Sequence, residues 1–324
     1  MPLFSLDDLA DATALVRTFV PQTPVYGWPL LRQRTGVDVF VKHENHTPTG
    51  AFKIRGGLAY FDGLRRASQL PRGAVSATRG NHGQSIAAAA TRNGTPAVIV
   101  VPEGNSVEKN AAMAAFGAEL IVAGADFDES RAVAAKIADE RGYRFVPSFH
   151  PDLVRGVATY AHELFVDIPD LAVVYVPIGM GSGICGMITV RDLLGLGTEI
   201  VGVVADRAPA IALSFEAGHP VPTKSAHTFA DGMACRVPDP DALVIIRTGA
   251  ARILSLGEDE IAEAVRIYYT DTHNLAERAG AAALAGLIRE REQYAGKRAA
   301  VICSGGNIDA KAFAEILNGR TPSA

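Results

Sequence analysis

Short apolar runs rich in β-branched residues recur along the chain, and longer alanine-rich stretches separate them. "VDVFVKH" (37–43), "GAVSA" (73–77), "AVIVVP" (97–102), "ELIVA" (119–123), "AVVYVP" (172–177), "EIVGVVA" (199–205) and "RAAVICS" (298–304) read as strands. Between them, residues 49–66, 84–92, 107–116, 127–141, 184–194, 258–272 and 279–293 read as helices. Such alternation builds crossover units around parallel sheet, and strands apolar on both faces are those that helices cover on both sides. The pattern predicts a doubly wound α/β protein. Its 324 residues suffice for two lobes. Pro147 and Pro151 interrupt the rhythm and place a soft boundary at 148–156.

Composition narrows the function classes. A hydrophobic fraction of 48% with 20% charged residues is that of a soluble globular protein. A formal charge of -4 supplies no basic field for a nucleic-acid backbone, so nucleic acid is not an expected partner. Membrane is not one either, since even the alanine-rich run 86–97 is short and contains Arg92. The acidic start "MPLFSLDDLADA" lacks the features of a secretory leader, which predicts a cytoplasmic protein. Cys185, Cys235 and Cys303 are odd in number and not spaced as metal ligands, so they read as reduced, buried small hydrophobes.

In folds of this class, ligands sit beyond the carboxyl ends of strands, where loops lead into helices. Four such loops carry unusual chemistry. In "KHENHTPTGAFKIRGG" (42–57), Thr49 is the expected helix cap, Gly50 permits close backbone approach, and Lys53 falls in the first helical turn. A helix N-terminus disfavours an ammonium and favours the neutral amine that a nucleophile requires. A solvated surface lysine is the plain alternative. "ATRGNHGQS" (77–85) brings backbone N–H groups to a helix start with Gly80 and Gly83 clearing space, as an anion site needs; an Asn-Gly turn with His82 as polar cap is the alternative.

"VPIGMGSGICG" (176–186) can wrap a phosphate with the amides of Gly179, Gly181, Ser182 and Gly183. It has no P-loop lysine, and no acid ends the next strand to hold a ribose, so a phosphate on a small cofactor fits better than a nucleotide. In "VICSGGNID" (301–309), a buried strand empties into Ser304, Gly305, Gly306 and Asn307, either a tight turn or a contact to a flat ligand.

Taken in this order and spacing, the four loops resemble the fold-type II pyridoxal-phosphate enzymes, the serine/threonine dehydratases, serine racemases and their relatives. The resemblance runs from about Thr23 to Asn307 and rests on "PTGAFKIRGG", "GNHGQ", "GMGSG", "SGGN" and "TFADGMA" (228–234). It implies two open, doubly wound parallel-sheet lobes with the cofactor in the cleft between them. Residues 1–72 and 154–324 would form the large lobe, and 73–153 a small lobe inserted in it.

Position by position, the resemblance makes Lys53 the Schiff-base lysine and catalytic base of pyridoxal 5'-phosphate. Phe52 would pack beside the ring, Asn81 would meet the phenolic oxygen, and Gly179, Met180, Gly181, Ser182 and Gly183 would hold the phosphate. Ser304 would meet the pyridine nitrogen through a neutral hydrogen bond, a choice that suits β-elimination over transamination. Thr78, Arg79, Gly80, Asn81 and His82 would hold the substrate α-carboxylate. The implied reaction removes water and ammonia from a small-molecule 3-hydroxy L-amino acid to leave a 2-oxo acid, in a homodimer.

Departures from the family pattern refine this expectation. Arg79 stands where racemases of the family carry a serine acid, which disfavours racemisation; it is free to pair with a carboxylate, such as the second one of a hydroxyaspartate, or to serve as a structural arginine. Val204 occupies the position of a metal-binding glutamate found in some relatives, leaving only Asp206 nearby, so no metal ligand is assigned. Met180, Ser182 and Arg278 replace residues common in the family. Only 17 residues follow Asn307, so no C-terminal regulatory domain is expected. Racemase, β-replacement enzyme and non-catalytic sensor are the alternatives. His43, His46, His150 and His227 read as caps or satisfied loop residues, with His46 and His150 beside the expected cleft, and Tyr26 and Trp28 as core or interface residues.

Overall fold

The computed structural model describes residues 3–323. Its strands are β1 (Val25–Gly27), β2 (Asp38–His43), β3 (Ala74–Ala77), β4 (Ala97–Val101), β5 (Ala118–Val122) and β6 (Arg144–Phe145), followed by β7 (Val173–Pro177), β8 (Glu199–Ala205), β9 (Arg252–Leu256) and β10 (Arg298–Cys303). The α-helices begin with α1 (Leu6–Arg17), α2 (Pro29–Thr35), α3 (Lys53–Arg66), α4 (Asn81–Arg92), α5 (Val107–Ala115), α6 (Phe127–Arg141) and α7 (Pro151–Asp167). They continue with α8 (Ser182–Leu193), α9 (Ala210–Ala217), α10 (Pro240–Gly249), α11 (Glu258–Thr272), α12 (Arg278–Arg289) and α13 (Ala310–Leu317).

Two sheets result, one of six strands in the order β1-β2-β10-β7-β8-β9 and one of four in the order β5-β4-β3-β6. All pairings are parallel except β1 with β2. The period-2 alternation of a strand sends neighbouring side chains to opposite faces. Accordingly Val201, Val203 and Ala205 of β8 join one core with α11 and α12, while Ile200 and Val204 join another with α7, α8 and α10. The small sheet is likewise sandwiched between two apolar clusters.

The strand order does the chemical assembly. Because β10 lies between β2 and β7, the loops that leave these three strands emerge side by side, although they carry residues as distant as 53, 182 and 304. The end of β3, in the other sheet, supplies the loop 78–80 that leads into α4.

Several boundaries differ from the sequence reading. Thr49 does not cap α3, which begins at Lys53. The Thr47 hydroxyl instead accepts from Ala51 N at 2.9 Å and donates to Ala51 O at 2.8 Å, while Gly50 takes φ 68°, so the segment curls back before a helix can start. Helix α7 fills a region read only as a boundary. Pro151 is its first residue, where proline costs no hydrogen bond, and the His150 ring accepts from Asp152 N at 3.1 Å. The three cysteines are free and buried.

Below α3 lies a sealed ionic cluster. Arg55 pairs with Glu44 at 2.8 Å and with Glu163 at 3.0 Å, and Lys42 pairs with Glu163 at 2.7 Å. Arg55 also donates to Thr159 at 3.0 Å and Thr23 at 3.2 Å, so its guanidinium is satisfied from the turn after β2, from α7 and from the loop before β1. Burial works against the Arg55 charge, but Glu44 and Glu163 outweigh it and raise its pKa further. The cluster clamps α3 to β2 and α7 just beyond Lys53.

Candidate active site

The lysine loop is stitched to the serine turn. Phe52 N donates to Ser304 O at 3.1 Å, Gly306 N to Gly50 O at 2.8 Å, and the Asn307 side chain to Thr49 O at 2.9 Å. A Cβ on Gly50 would stand 2.5 Å from the Asn307 side-chain oxygen, so the close approach requires glycine there. These bonds fix Lys53 relative to Ser304.

A cavity opens where the loops meet, lined by Lys53, Phe52, the glycine loop and Ser304, with Pro177, Gly232, Met233 and Ala279 completing its walls. Lys53 Nζ lies 3.3 Å from Ser182 Oγ and 5.0 Å from the centre of the Phe52 ring. Burial lowers its pKa to about 8, with Glu277 pulling weakly the other way. Desolvation is the largest cause, and Lys53 also opens α3, where the helix N-terminus disfavours an ammonium. A lysine so placed reaches the neutral state, in which it acts as nucleophile or base.

The glycine loop sits at the start of α8. Gly181 precedes Ser182 with φ 101°, and a Cβ on Gly179 would meet Gly232 O at 2.4 Å. The first turn of a helix leaves N–H groups unpaired, and these with the Ser182 hydroxyl make an anion cradle. Met180 belongs to the glycine loop through its backbone and also lines a neighbouring cavity.

From the other lobe, Asn81 opens α4 and donates Nδ2 to Glu277 at 2.5 Å while its Oδ1 accepts from Asn307 Nδ2 at 2.8 Å. Both ends of the amide are thus oriented, with one Nδ2 hydrogen still available. Thr78 is buried, and its hydroxyl accepts from Gly80 N at 3.0 Å. Burial and the nearby Lys53 charge depress His82 to about 3, so it is neutral, and its Nε2 has no partner among the described residues. Arg79 makes no ion pair among the described residues.

Three residues at this site have no role assigned from sequence. Lys109 of α5 reaches across to pair with Asp231 at 2.6 Å and Glu277 at 3.4 Å, and Arg278 approaches Asp231 at 3.6 Å. A Cβ on Gly80 would meet the Lys109 stem at 2.6 Å, so this side chain packs directly against the loop that carries Arg79 and Asn81. Burial opposes the Lys109 charge, yet Asp231 and Glu277 prevail and raise its pKa; burial raises that of Glu277, against Lys109. The sequence holds a signal for Lys109, because it shares the helical spacing of the apolar Met113 and Phe116 and so belongs to the buried stripe of α5.

The histidines beside the expected cleft do other work. His46 contacts the Asn274 amide at 2.8 Å, His150 caps α7, and His43 accepts from Trp28 Nε1 at 3.1 Å. Tyr26 is half exposed. Among the described residues, no group of three or more His, Cys, Asp or Glu side chains converges as a metal site.

The donor set fits pyridoxal phosphate on its own geometry. An anion cradle, an amine whose pKa burial has lowered and a buried hydroxyl line one slot, and the oriented Asn81 amide is bonded to Asn307 beside it.

Comparison with known proteins agrees. The family described as pyridoxal-phosphate dependent enzyme matches residues 16–305. The L-threonine ammonia-lyase of Thermotoga maritima is 31% identical over 317 residues, 98% of this chain and 79% of that protein. The L-threo-3-hydroxyaspartate ammonia-lyase of Saccharomyces cerevisiae is 30% identical over 97% of this chain and 96% of its own. Among solved structures, the processed form of threonine deaminase isoform 2 from Solanum lycopersicum superposes with a TM-score of 0.90 at 28% identity, covering 97% of this chain and 92% of that one.

Proposed function

The chain belongs to the pyridoxal-phosphate dependent enzymes, and on that premise we propose that it is an ammonia-lyase converting a 3-hydroxy L-amino acid into a 2-oxo acid with release of ammonia. The observation that carries the reading is the convergence of Lys53, Ser182 and Ser304 on one slot, with the Lys53 amine lowered to about 8 and Asn81 tied to the same loops through Asn307. Relatives that act as L-threonine and L-threo-3-hydroxyaspartate ammonia-lyases along nearly the whole of this chain support it.

Bound pyridoxal phosphate supplies an electron sink for the charge left at the substrate Cα. The chain does the rest. The α8 N-terminus and the Ser182 hydroxyl would hold the phosphate, the free Nδ2 hydrogen of Asn81 would serve the phenolic oxygen, and Ser304 would serve the ring nitrogen without charging it. Lys53 Nζ takes the proton from Cα, and the nearby Ser182 Oγ accepts a hydrogen bond from the amine. Unpaired N–H groups at the start of α4, with Thr78 and Arg79 beside them, receive the α-carboxylate. Neutral His82 adds no charge there. Arg79 is too weak an acid to return a proton to the opposite face, so elimination is favoured over racemisation. A cytoplasmic homodimer belongs to the same proposal.

The test is stoichiometric release of ammonia and 2-oxo acid from L-serine, L-threonine, L-threo-3-hydroxyaspartate and L-threo-3-phenylserine. Turnover of at least one, with the two products in equal amounts, is the expected result. Interconversion of enantiomers without ammonia release, or activity only when a thiol nucleophile is supplied, would replace this reading.

A further inference from the structure

A second cavity, of about 180 Å³, adjoins the first. Two continuities join it to the candidate site. Met180 lines it from within the glycine loop, and Ala77 lines it from the residue before Thr78, where the substrate loop begins. Phe127, Phe145 and Phe149 come from the small-sheet side, and Val237 closes the rim from the other lobe. Next to Phe127 and Val237, Asp128 and Arg236 form an ion pair that ties the two walls together. The cation in the lining, Arg131, is exposed and has no ionic partner among the described residues.

Resting on the ammonia-lyase reading, we infer that this cavity receives the substrate's β-substituent and that this substituent is an aromatic ring, as in L-threo-3-phenylserine. A hydrogen or methyl group would leave most of the volume to water held against three phenyl rings. A cavity of about 150 Å³ is large enough to take up benzene, so the volume here, rimmed by Arg131, Ser148 and Asp239, suffices for a phenyl group. Ring edges and faces of Phe127, Phe145 and Phe149 offer the offset and edge-to-face contacts that aromatic groups prefer. Arg131 at the mouth can lie over such a ring. A carboxylate could pair with Arg131, but it would also meet the Asp239 carboxylate and the three phenyl rings and lose hydration on entry.

The experiment uses the holoenzyme and the Val237→Trp variant, whose indole fills the cavity from a position 48% exposed, where the fold tolerates bulk. For the wild type, kcat/KM for L-threo-3-phenylserine is expected to exceed that for L-threonine by at least about tenfold, the scale on which apolar pockets discriminate side chains. Val237→Trp should reduce that ratio by about tenfold or more. Calorimetric binding of L-phenylalanine, which lacks the leaving hydroxyl, should be about tenfold tighter than that of L-alanine in the wild type and should lose this advantage in the variant.

Preference for L-threonine or L-threo-3-hydroxyaspartate, or a ratio that Val237→Trp leaves intact, overturns the inference while the ammonia-lyase reading stands. If no hydroxyamino acid reacts, that reading fails, and the calorimetric comparison alone decides the cavity: equal affinity for L-phenylalanine and L-alanine refutes it.

Discussion

The Arg55 cluster and the Lys109 cluster are both buried and both of mixed sign, yet they join different things. Arg55, Lys42, Glu44 and Glu163 are essentially closed to solvent and tie α3 to the strand before it and to α7. Lys109 and Glu277 are as deep, but Asp231 and Arg278 keep about 15% of their side chains exposed, and the cluster spans two lobes. A sealed cluster cannot be rehydrated without unfolding its surroundings, whereas a lobe-spanning cluster gains water when the lobes part. The first therefore supports the lysine through stability, and the second holds the substrate loop against the other lobe.

Removing one partner from each cluster separates these roles. Arg55→Ala leaves the buried Glu44 carboxylate without its cation, while Glu163 keeps Lys42 and Arg17, and is expected to lower unfolding stability by about 3–5 kcal/mol, read from denaturant midpoints. A loss below about 1 kcal/mol would deny the cluster its scaffold role. Lys109→Met keeps the stem that packs against Gly80 but removes the charge between Asp231 and Glu277. Its stability loss should be smaller, about 1–3 kcal/mol, while kcat/KM falls by about a hundredfold because Asn81 and its loop shift relative to Lys53. If Lys109→Met proves as destabilising as Arg55→Ala with turnover intact, the two clusters do not differ as described.

Sequence pattern alone carries the fold class, because strands apolar on both faces and helical spacing between them are local signals. The ends of α6 and α11 agree with the sequence reading to the residue. Other boundaries escape it where the deciding bond is long-range or falls within a turn. Thr49 looks like a cap in isolation, but Thr47 captures Ala51, and the loop is stitched to Ser304 some 250 positions away. The motifs single out Lys53, Ser182 and Ser304, which line one cavity, whereas Asn81 is tied to the same loops only through Asn307 and Glu277. Lys109, Asp231 and Glu277 need the tertiary arrangement, since their meaning lies in a contact between lobes that no spacing encodes. The second cavity that Met180 lines is likewise invisible to the motif, which fixes the residue's backbone position but not the direction of its side chain.

The central claim is that the Lys53 amine takes the proton from the substrate Cα. Exchange of the Cα hydrogen of L-alanine for deuterium, followed by NMR in heavy water, tests it without requiring a leaving group. Holoenzyme is expected to wash deuterium into Cα. Lys53→Ala, reconstituted with pyridoxal phosphate and shown by calorimetry to bind the amino acid, should slow that exchange by a factor of at least about a thousand, within the range spanned by single catalytic groups. Undiminished exchange in Lys53→Ala would place the base elsewhere and contradict the account.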